Sequence, residues 1–165
     1  MQMTTKQKGN LTELQCISAF MSEGYNVSIP FGEDTRYDFI ADDGKNLLRI
    51  QVKTCKLRKN HTITFKTESV RGTVQGKTRT VPYTKEEIDY FATFYNGECF
   101  VIPVEEGNHH GIVLHLKDKT KNNQLKGIKF CKDYRLKDLT KRQVISSSLI
   151  CGSMSEWRNW YTRRT

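Results

Sequence analysis

The sequence predicts one α/β domain spanning residues 1–165, in which a mixed β-sheet is flanked by helices. Three observations support this fold class. The length of 165 residues is enough to bury one core. A content of 36% hydrophobic and 10% aromatic residues supplies the side chains for it and excludes a disordered chain. Helix-like and strand-like hydrophobic patterns also follow one another along the chain, which is typical of mixed architectures.

The first part of the chain predicts one helix and then three strands. Apolar residues recur every three to four positions over Leu11–Met21, which predicts an amphipathic helix that begins after an Asn10 N-cap and ends at Gly24. In the last of the three strands apolar and polar residues alternate, so one face is buried and the other is polar. The strands are predicted over residues 25–29, 37–41 and 46–55, with a hairpin turn between the last two.

The rest of the chain predicts two further helices and three more strands. Thr84, with Glu87 three positions later, predicts a capped helix that continues to Gly97, and residues 155–161 predict a short helix. The basic segment 70–81 contains two glycines and predicts an exposed loop or ribbon. The additional strands are predicted over residues 62–66, 99–104 and 111–116.

No segment has the composition of a membrane span or a secretory signal. An apolar run of 18 residues is absent from the sequence, and the first ten residues are polar. The cysteines form no CxxC pair, and their odd number cannot close into a complete set of intramolecular disulfides. We therefore expect reduced thiols in a cytoplasmic protein. The five cysteines are Cys16, Cys55, Cys99, Cys131 and Cys151.

The charges of the chain are segregated along the sequence. The formal net charge is +9, yet residues 45–85 carry 11 basic side chains and only Glu68 as an acid, whereas residues 86–116 carry six acids and no basic residue. Residues 117–165 are basic again, with 13 basic against 4 acidic side chains. A basic excess can serve solubility alone. Its segregation favours a polyanionic partner, because Lys and Arg at phosphates release condensed counterions.

The predicted hairpin carries polar groups suited to phosphodiester cleavage. Asp38 lies near the hairpin, and Gln51 and Lys53 lie on one face of the following strand. Carboxylate and carbonyl oxygens hold Mg²⁺, and a cation near the attacking water or the developing negative charge completes such a site. Asp38, Gln51, the Val52 carbonyl and Lys53 are the candidate groups. On spacing alone, an ordinary solvated hairpin face explains these residues better.

Three strings resemble the PD-(D/E)XK nuclease superfamily, and within it the group I intron-associated homing endonucleases and, more distantly, archaeal Holliday-junction resolvases. The strings are Lys8-Gly9 with Glu13, RYDFI at 36–40 and LRIQVKT at 48–54. The resemblance covers about residues 8–135. It implies a restriction-endonuclease-like core, Mg²⁺-dependent cleavage of double-stranded DNA, and action as a homodimer or higher homo-oligomer.

Carried over residue by residue, the resemblance implies a catalytic site of four side chains. Asp38 matches the motif aspartate that ligates the metal, and Lys53 matches the motif lysine. Glu13 matches an acidic residue of the first helix whose carboxylate reaches the same site, although a helix-capping role would equally account for it. Gln51 completes the set. The expected metal ligands are Glu13, Asp38, Gln51 and the backbone carbonyl of Val52.

Two positions depart from the motif. Residue 37 is Tyr where the motif name has Pro, and residue 51 is Gln where the superfamily usually has Asp or Glu. The amide oxygen of Gln51 can still ligate a metal, but a neutral ligand attracts Mg²⁺ more weakly. The departure is compatible with the intron-associated branch, which would keep activity, and also with a decayed nuclease that binds without cutting. We favour activity.

The basic segment 54–85 is the predicted DNA-contacting surface. Lys and Arg there can neutralise phosphates, and Arg71, Gln75 and Arg79 can make bidentate contacts to base edges from a glycine-bounded ribbon in the major groove. A solvated loop is the alternative. The expected DNA-binding residues are Lys56, Arg58, Lys59, Lys66, Arg71, Gln75, Lys77 and Arg79. Lys119, Lys121, Lys126 and Lys129 form either a second backbone-contact region or a solvated face.

Together these observations predict a site-specific, Mg²⁺-dependent DNA endonuclease that makes double-strand breaks, as the homing enzyme of a mobile intron does. The catalytic core is expected over about residues 8–116, and residues 117–165 are expected to form a basic C-terminal extension. Three alternatives remain: a restriction endonuclease, a Holliday-junction resolvase on the same core, and a catalytically silent DNA-binding module.

Overall fold

The computed structural model describes residues 2–32, 34–59, 61–74, 77–107, 111–117 and 127–139. Within these residues the fold has one α-helix, α1 (Thr5–Ser22), and ten β-strands. The strands are β1 (Asn26–Ser28), β2 (Phe39–Asp42), β3 (Leu47–Val52), β4 (Lys56–Arg58), β5 (Thr62–Phe65), β6 (Glu68–Val74), β7 (Lys77–Pro82), β8 (Tyr90–Tyr95), β9 (Glu98–Pro103) and β10 (Ile112–His115). All six predicted strands are present, with ends within three residues of the predicted ones.

The central sheet is mixed and has the strand order β1-β2-β3-β8-β9. Its β3 and β8 run parallel, with Gln51 opposite Phe91, and the other neighbours are antiparallel. A second sheet has the order β10-β5-β4, and β6 pairs with β7 as a separate two-stranded ribbon. The predicted α/β class with a mixed sheet is confirmed.

Both faces of the central sheet are buried, which divides the core into two clusters. Along β9, Cys99 and Val101 belong to the cluster that includes Phe20 of α1, while Phe100 and Ile102 belong to the cluster that includes Ile63 of β5. Alternate side chains of one strand therefore face α1 and the second sheet. The central strands are held from both sides, and the residues at their ends are fixed in place.

Helix α1 begins earlier than predicted. Thr4 is the N-cap, and its side chain accepts a hydrogen bond from the backbone of Gln7 while the Gln7 side chain accepts one from the Thr4 backbone. The predicted N-cap at Asn10 is wrong, because this reciprocal pair satisfies the first free amides of the helix one and a half turns upstream. The predicted stop at Gly24 is confirmed, since the helix ends at Ser22 and Gly24 follows with φ +87°.

The predicted helix from Thr84 to Gly97 is wrong. Its capping pair exists, because the Thr84 amide donates to Glu87 Oε2 at 3.1 Å, but it closes a single turn. From Tyr90 the chain is strand β8, hydrogen-bonded to β3 and β9 and buried at Phe91. A strand buried on both faces loses its polar alternation, so the spacing of its apolar residues imitated that of a helix.

Residues 127–139, which fall within the predicted C-terminal extension, pack onto the central sheet. Cys131, Leu136 and Leu139 are buried in the core, and Arg135 forms a bridge with Phe100 of β9. The predicted helix over residues 155–161 lies outside the described residues. No described helix combines the length and the apolar character needed to cross a bilayer.

Candidate active site

Asp38 immediately precedes β2, at the end of the β2–β3 pair opposite the hairpin turn. Its backbone amide donates to the Ile50 carbonyl at 2.8 Å, which continues the β2–β3 ladder by one residue. Its carboxylate oxygen Oδ2 accepts hydrogen bonds from the Val52 amide and from Gln51 Nε2, both at 2.6 Å. The hairpin pairing therefore places the carboxylate at the end of β3, beside the residues that the sequence groups with it.

Gln51 connects two of the oxygen atoms expected to be metal ligands, Asp38 Oδ2 and the Val52 carbonyl oxygen. The residue is only 8% exposed. Its Nε2 donates to Asp38 Oδ2 at 2.6 Å and to the Val52 carbonyl at 3.1 Å. The structure thus brings Asp38, Gln51 and the Val52 carbonyl together within hydrogen-bond distance.

Glu13 is half-buried on α1. Burial raises the pKa of Glu13, and the negative charge of Asp38 raises it further, so the two carboxyl groups influence each other electrostatically. The hydroxyls of Thr12 and Thr54 lie 3.2 Å apart and join this part of α1 to the segment after β3. Because Thr4 and Gln7 cap the helix, the capping explanation of Glu13 is wrong.

The pKa of Asp38 is also raised, and burial is the main cause. Three contacts oppose this rise, namely the hydrogen bond from Val52, the positive charge of Lys53 and the hydrogen bond from Gln51. Glu13 and Asp38 are thus two partly buried carboxyl groups with raised pKa values, which indicates that the nearby positive charge does not compensate for their burial. A bound cation would lower both pKa values.

Lys53 directly follows β3, and its amide donates to the Ala92 carbonyl of β8 at 2.9 Å. Its ammonium donates to the Tyr83 hydroxyl at 2.9 Å and lies 4.6 Å from the centre of the Tyr83 ring. Tyr83 is not among the site residues predicted from the sequence. No signal in the sequence links two residues 30 positions apart, and Tyr83 precedes a segment that was predicted to be a helix.

The chain is similar to a known protein family over most of its length. The model of a protein family described as PD-(D/E)XK endonuclease matches residues 3–137. The chain belongs to the PD-(D/E)XK endonuclease family. Membership confirms the predicted superfamily and the predicted enzyme class, an endodeoxyribonuclease. Enzymes of this family typically use divalent metal ions.

The fold of this endonuclease is also found in a solved structure. It is described as the structure of a bacterial homing endonuclease, I-Ssp6803I, and matches with a TM-score of 0.66 and 21% sequence identity. The match covers 93% of this chain and 99% of that chain. At this identity the likeness establishes the restriction-endonuclease-like fold. No sequence among the curated proteins matches the endonuclease.

The donor groups at the end of β3 fit a hard divalent cation. Two carboxylates, one backbone carbonyl and one side-chain amide provide oxygen ligands of the type such ions prefer. The described part of the endonuclease contains no cluster of three or more His, Cys, Asp or Glu that could hold a metal, so Gln51 and the Val52 carbonyl have to complete any such site. The Nε2 atom of Gln51 points toward Asp38, so its side-chain amide must rotate by half a turn to direct Oε1 toward a metal ion.

Several of the predicted DNA-binding residues lie in strands of the second sheet and of the ribbon, whereas Lys59 and Lys66 lie in the segments that follow β4 and β5. Lys56 and Arg58 are in β4 of the second sheet, and Arg79 is in β7 of the ribbon. Five of the predicted side chains are exposed: Lys56, Arg58, Lys59, Lys66 and Arg79. Gln75 and the side chains of Arg71 and Lys77 lie outside the described part of the chain, as do Lys119, Lys121 and Lys126. Lys129 is held by an ion pair with Glu106.

Proposed function

We propose that this endonuclease makes site-specific, Mg²⁺-dependent double-strand breaks in DNA and serves the homing of a mobile intron. The observation that carries the proposal is the meeting of Asp38, Gln51 and the Val52 carbonyl at the end of β3, with Lys53 directly after them. The homing role is supported by the structural neighbour, which is itself a bacterial homing endonuclease.

Each polar group of the site has a chemical role in this proposal. Asp38 and Glu13 supply the negative charge that attracts the cation, while Gln51 and the Val52 carbonyl add neutral oxygen ligands. Mg²⁺, when bound, acts as a Lewis acid on the phosphate and lowers the pKa of a water molecule. The Lys53 ammonium stabilises the negative charge that develops on the phosphate.

The exposed basic side chains on the second sheet and the ribbon support binding to duplex DNA. We assign them to phosphate contacts and, at Arg79, to base contacts. A chain with one such site cuts one strand at a time, so cutting both antiparallel strands at one place favours a homodimer or higher homo-oligomer. The cytoplasm remains our proposed location, and the four described cysteines are free thiols.

The decisive experiment incubates the protein with randomised duplex DNA and Mg²⁺ and sequences the cut ends. The matched control is Asp38→Asn, which keeps the shape of the side chain and an acceptor for the Val52 amide but loses the charge. We expect the parent to cut both strands at a recurring sequence, and the control to cut at least about 10³-fold more slowly.

Other outcomes of the same experiment identify the alternatives. Binding without cleavage would identify a silent DNA-binding module, in which the site with Gln51 does not hold the metal. Cleavage of four-way junctions irrespective of sequence would identify a resolvase. The genetic context separates homing from restriction. A reading frame inside an intron supports homing, and an adjacent methyltransferase gene supports restriction.

A further inference from the structure

Tyr83 connects the ammonium of Lys53 to the rigid core of the protein. Its ring stands edge-on to the ring of Phe91, with centroids 5.5 Å apart and an angle of 89° between the planes. Phe91 is 1% exposed and belongs to the core cluster between the two sheets. The guanidinium carbon of Arg36 lies 4.0 Å from the centre of the Tyr83 ring. The ring is therefore held by a buried aromatic and by a cation.

Arg36 is itself fixed by hydrogen bonds in several directions. Its Nε and Nη2 donate to the two carboxylate oxygens of Glu87 at 3.0 and 3.2 Å, and Nη2 also donates to the Pro82 carbonyl at 2.9 Å. Nη1 donates to the Ser69 hydroxyl. A guanidinium bound on every side has little freedom to rotate, and its side chain is only 15% exposed. Arg36 thus provides a stationary surface for the Tyr83 ring.

Lys53 needs such a fixed partner more than the other residues of the site do. Asp38 and Gln51 are held by the short hydrogen bonds at the end of β3, but a lysine carries its charge on a flexible four-carbon chain. The Lys53 ammonium is anchored at the Tyr83 hydroxyl, to which it donates at 2.9 Å. Fixing a catalytic charge before the substrate arrives removes an entropic cost from the reaction.

We propose that Tyr83 is a positioning residue of this endonuclease, whose hydroxyl holds the Lys53 ammonium in place for cleavage while Arg36 and Phe91 hold its ring. The inference rests on the proposed function, because it takes Lys53 to be catalytic. Arg36 also connects the site to the ribbon formed by β6 and β7. Arg36 bonds to Ser69 in β6 and to Pro82 in β7, so the side chain that packs on Tyr83 also fixes the base of the ribbon.

The test compares Tyr83→Phe with Tyr25→Phe and Lys53→Ala. Tyr83→Phe removes one hydroxyl and keeps the ring contacts, so the fold is retained. Tyr25 is a matched control, since its hydroxyl is buried without a hydrogen-bond partner among the described residues. Four quantities are measured: the single-turnover cleavage rate at saturating DNA, the Kd for DNA in EDTA, the Mg²⁺ concentration for half-maximal rate, and the midpoint of thermal unfolding.

We expect Tyr83→Phe to lower the cleavage rate by about 10-fold and to leave the other three quantities unchanged. Tyr25→Phe should match the parent in rate, Kd and Mg²⁺ dependence, and its unfolding midpoint should be equal or higher, because the hydroxyl that it removes is buried without a partner among the described residues. A rate for Tyr83→Phe within about twofold of the parent, beside an inactive Lys53→Ala, would overturn the inference and leave the proposed function intact. A rise in the Kd for DNA as large as the loss of rate, or a clear drop in the midpoint of thermal unfolding, would assign Tyr83 a purely structural role.

A second measurement does not depend on cleavage. NMR relaxation of ¹³Cε-labelled lysines, with the Lys53 signal identified by its absence in Lys53→Ala, reports how rigidly the ammonium is held. We expect Lys53 to be more ordered than exposed Lys56, and to become as mobile as Lys56 in Tyr83→Phe. Equal mobility of Lys53 in the parent and in Tyr83→Phe would overturn the inference. Parental activity of Lys53→Ala would instead refute the catalytic role of Lys53, and the positioning role with it.

Discussion

Gln51 donates its side-chain amide to Asp38 Oδ2 across 2.6 Å, and the same nitrogen lies 3.1 Å from the Val52 carbonyl. The amide hydrogens thus occupy the space between two oxygens that are expected to ligate a cation. A glutamate at this position would place a second negative charge against the Asp38 carboxylate. Glutamine therefore stabilises the metal-free site, and it contributes less charge to the metal-bound one.

Gln51→Glu should destabilise the metal-free protein and strengthen the binding of Mg²⁺. Without metal, we expect the variant to be about 1–2 kcal/mol less stable, because a hydrogen bond is replaced by the repulsion of two carboxylates. With metal, the added charge should lower the Mg²⁺ concentration for half-saturation by about tenfold. Thermal unfolding across a Mg²⁺ titration measures both. Gln15→Glu, which adds the same charge on α1 at a residue outside the proposed site, should leave the affinity unchanged. An unaltered Mg²⁺ affinity in Gln51→Glu would remove Gln51 from the ligands.

The raised pKa values of Glu13 and Asp38 predict how the stability of the metal-free protein depends on pH. A carboxyl group whose pKa is higher in the folded state binds protons more readily there than in the unfolded chain. Its contribution is complete below the ordinary values of 4.5 and 3.8 and is lost as the pH rises through the raised ones. Metal binding should reverse the trend, since only the ionised carboxylates attract a cation.

Glu13→Gln provides the measurement for this prediction, because it keeps the shape of the side chain and cannot titrate. We expect the melting temperature of the metal-free parent to fall relative to that of Glu13→Gln as the pH rises above 4.5, the ordinary pKa of a glutamate. Saturating Mg²⁺ should reverse the sign of this difference, because only the parent keeps the ionised Glu13 carboxylate as a ligand. Parallel curves for the two proteins without metal would show that Glu13 titrates as it does in the unfolded chain.

Arg36 should be much more important for stability than an exposed ion pair of similar geometry. Arg36→Ala removes the donor of the hydrogen bonds to the Glu87 carboxylate, the Ser69 hydroxyl and the Pro82 carbonyl, and we expect a loss of about 2–3 kcal/mol in the free energy of unfolding. The control is Lys85→Ala, whose partner Glu105 lies 2.6 Å away but whose side chain is 70% exposed. It should leave the unfolding midpoint in urea unchanged. Equal midpoints for the two variants would contradict the prediction.

The part of the site that could be predicted from the sequence is local. Asp38 and Gln51 belong to adjacent strands of one hairpin, and the alternation in the second strand indicated which of its residues share a face. A short turn fixes the register of such a pair. Two residues that are 13 positions apart in the chain are therefore joined by a hydrogen bond. Glu13 was reached only through the resemblance to a family, since nothing in its spacing relates α1 to the hairpin.

The part that could not be predicted depends on packing across longer distances. β8 pairs with β3 in parallel and is buried on both faces, so its pattern resembled a helix. Tyr83 enters the site because the turn before β8 is held against β3, where Arg49 donates to the Asp89 carboxylate at 3.0 Å. Such a contact depends on the position of a whole strand, which no short motif specifies.

The proposed site specificity requires side chains outside the site at the end of β3, and Arg79 on the ribbon is the described candidate. The side chain is exposed in β7, and a guanidinium can donate two parallel hydrogen bonds to a guanine edge. Lys66 follows β5 in the second sheet and is also exposed, but an ammonium binds phosphate as a point charge. The two residues therefore form a matched pair of cations with different expected roles.

Arg79→Ala should relax the preference at one or two base pairs of the target, because the loss of one bidentate base contact costs about 1–3 kcal/mol, or roughly 5- to 150-fold in discrimination. Lys66→Ala should weaken binding to all sequences alike, since a phosphate looks the same at every base pair. Cleavage profiles over all single-base variants of the recovered site separate the two effects. If Arg79→Ala keeps the parental profile and only binds more weakly, the ribbon positions the DNA by its backbone, and the bases are recognised by other residues.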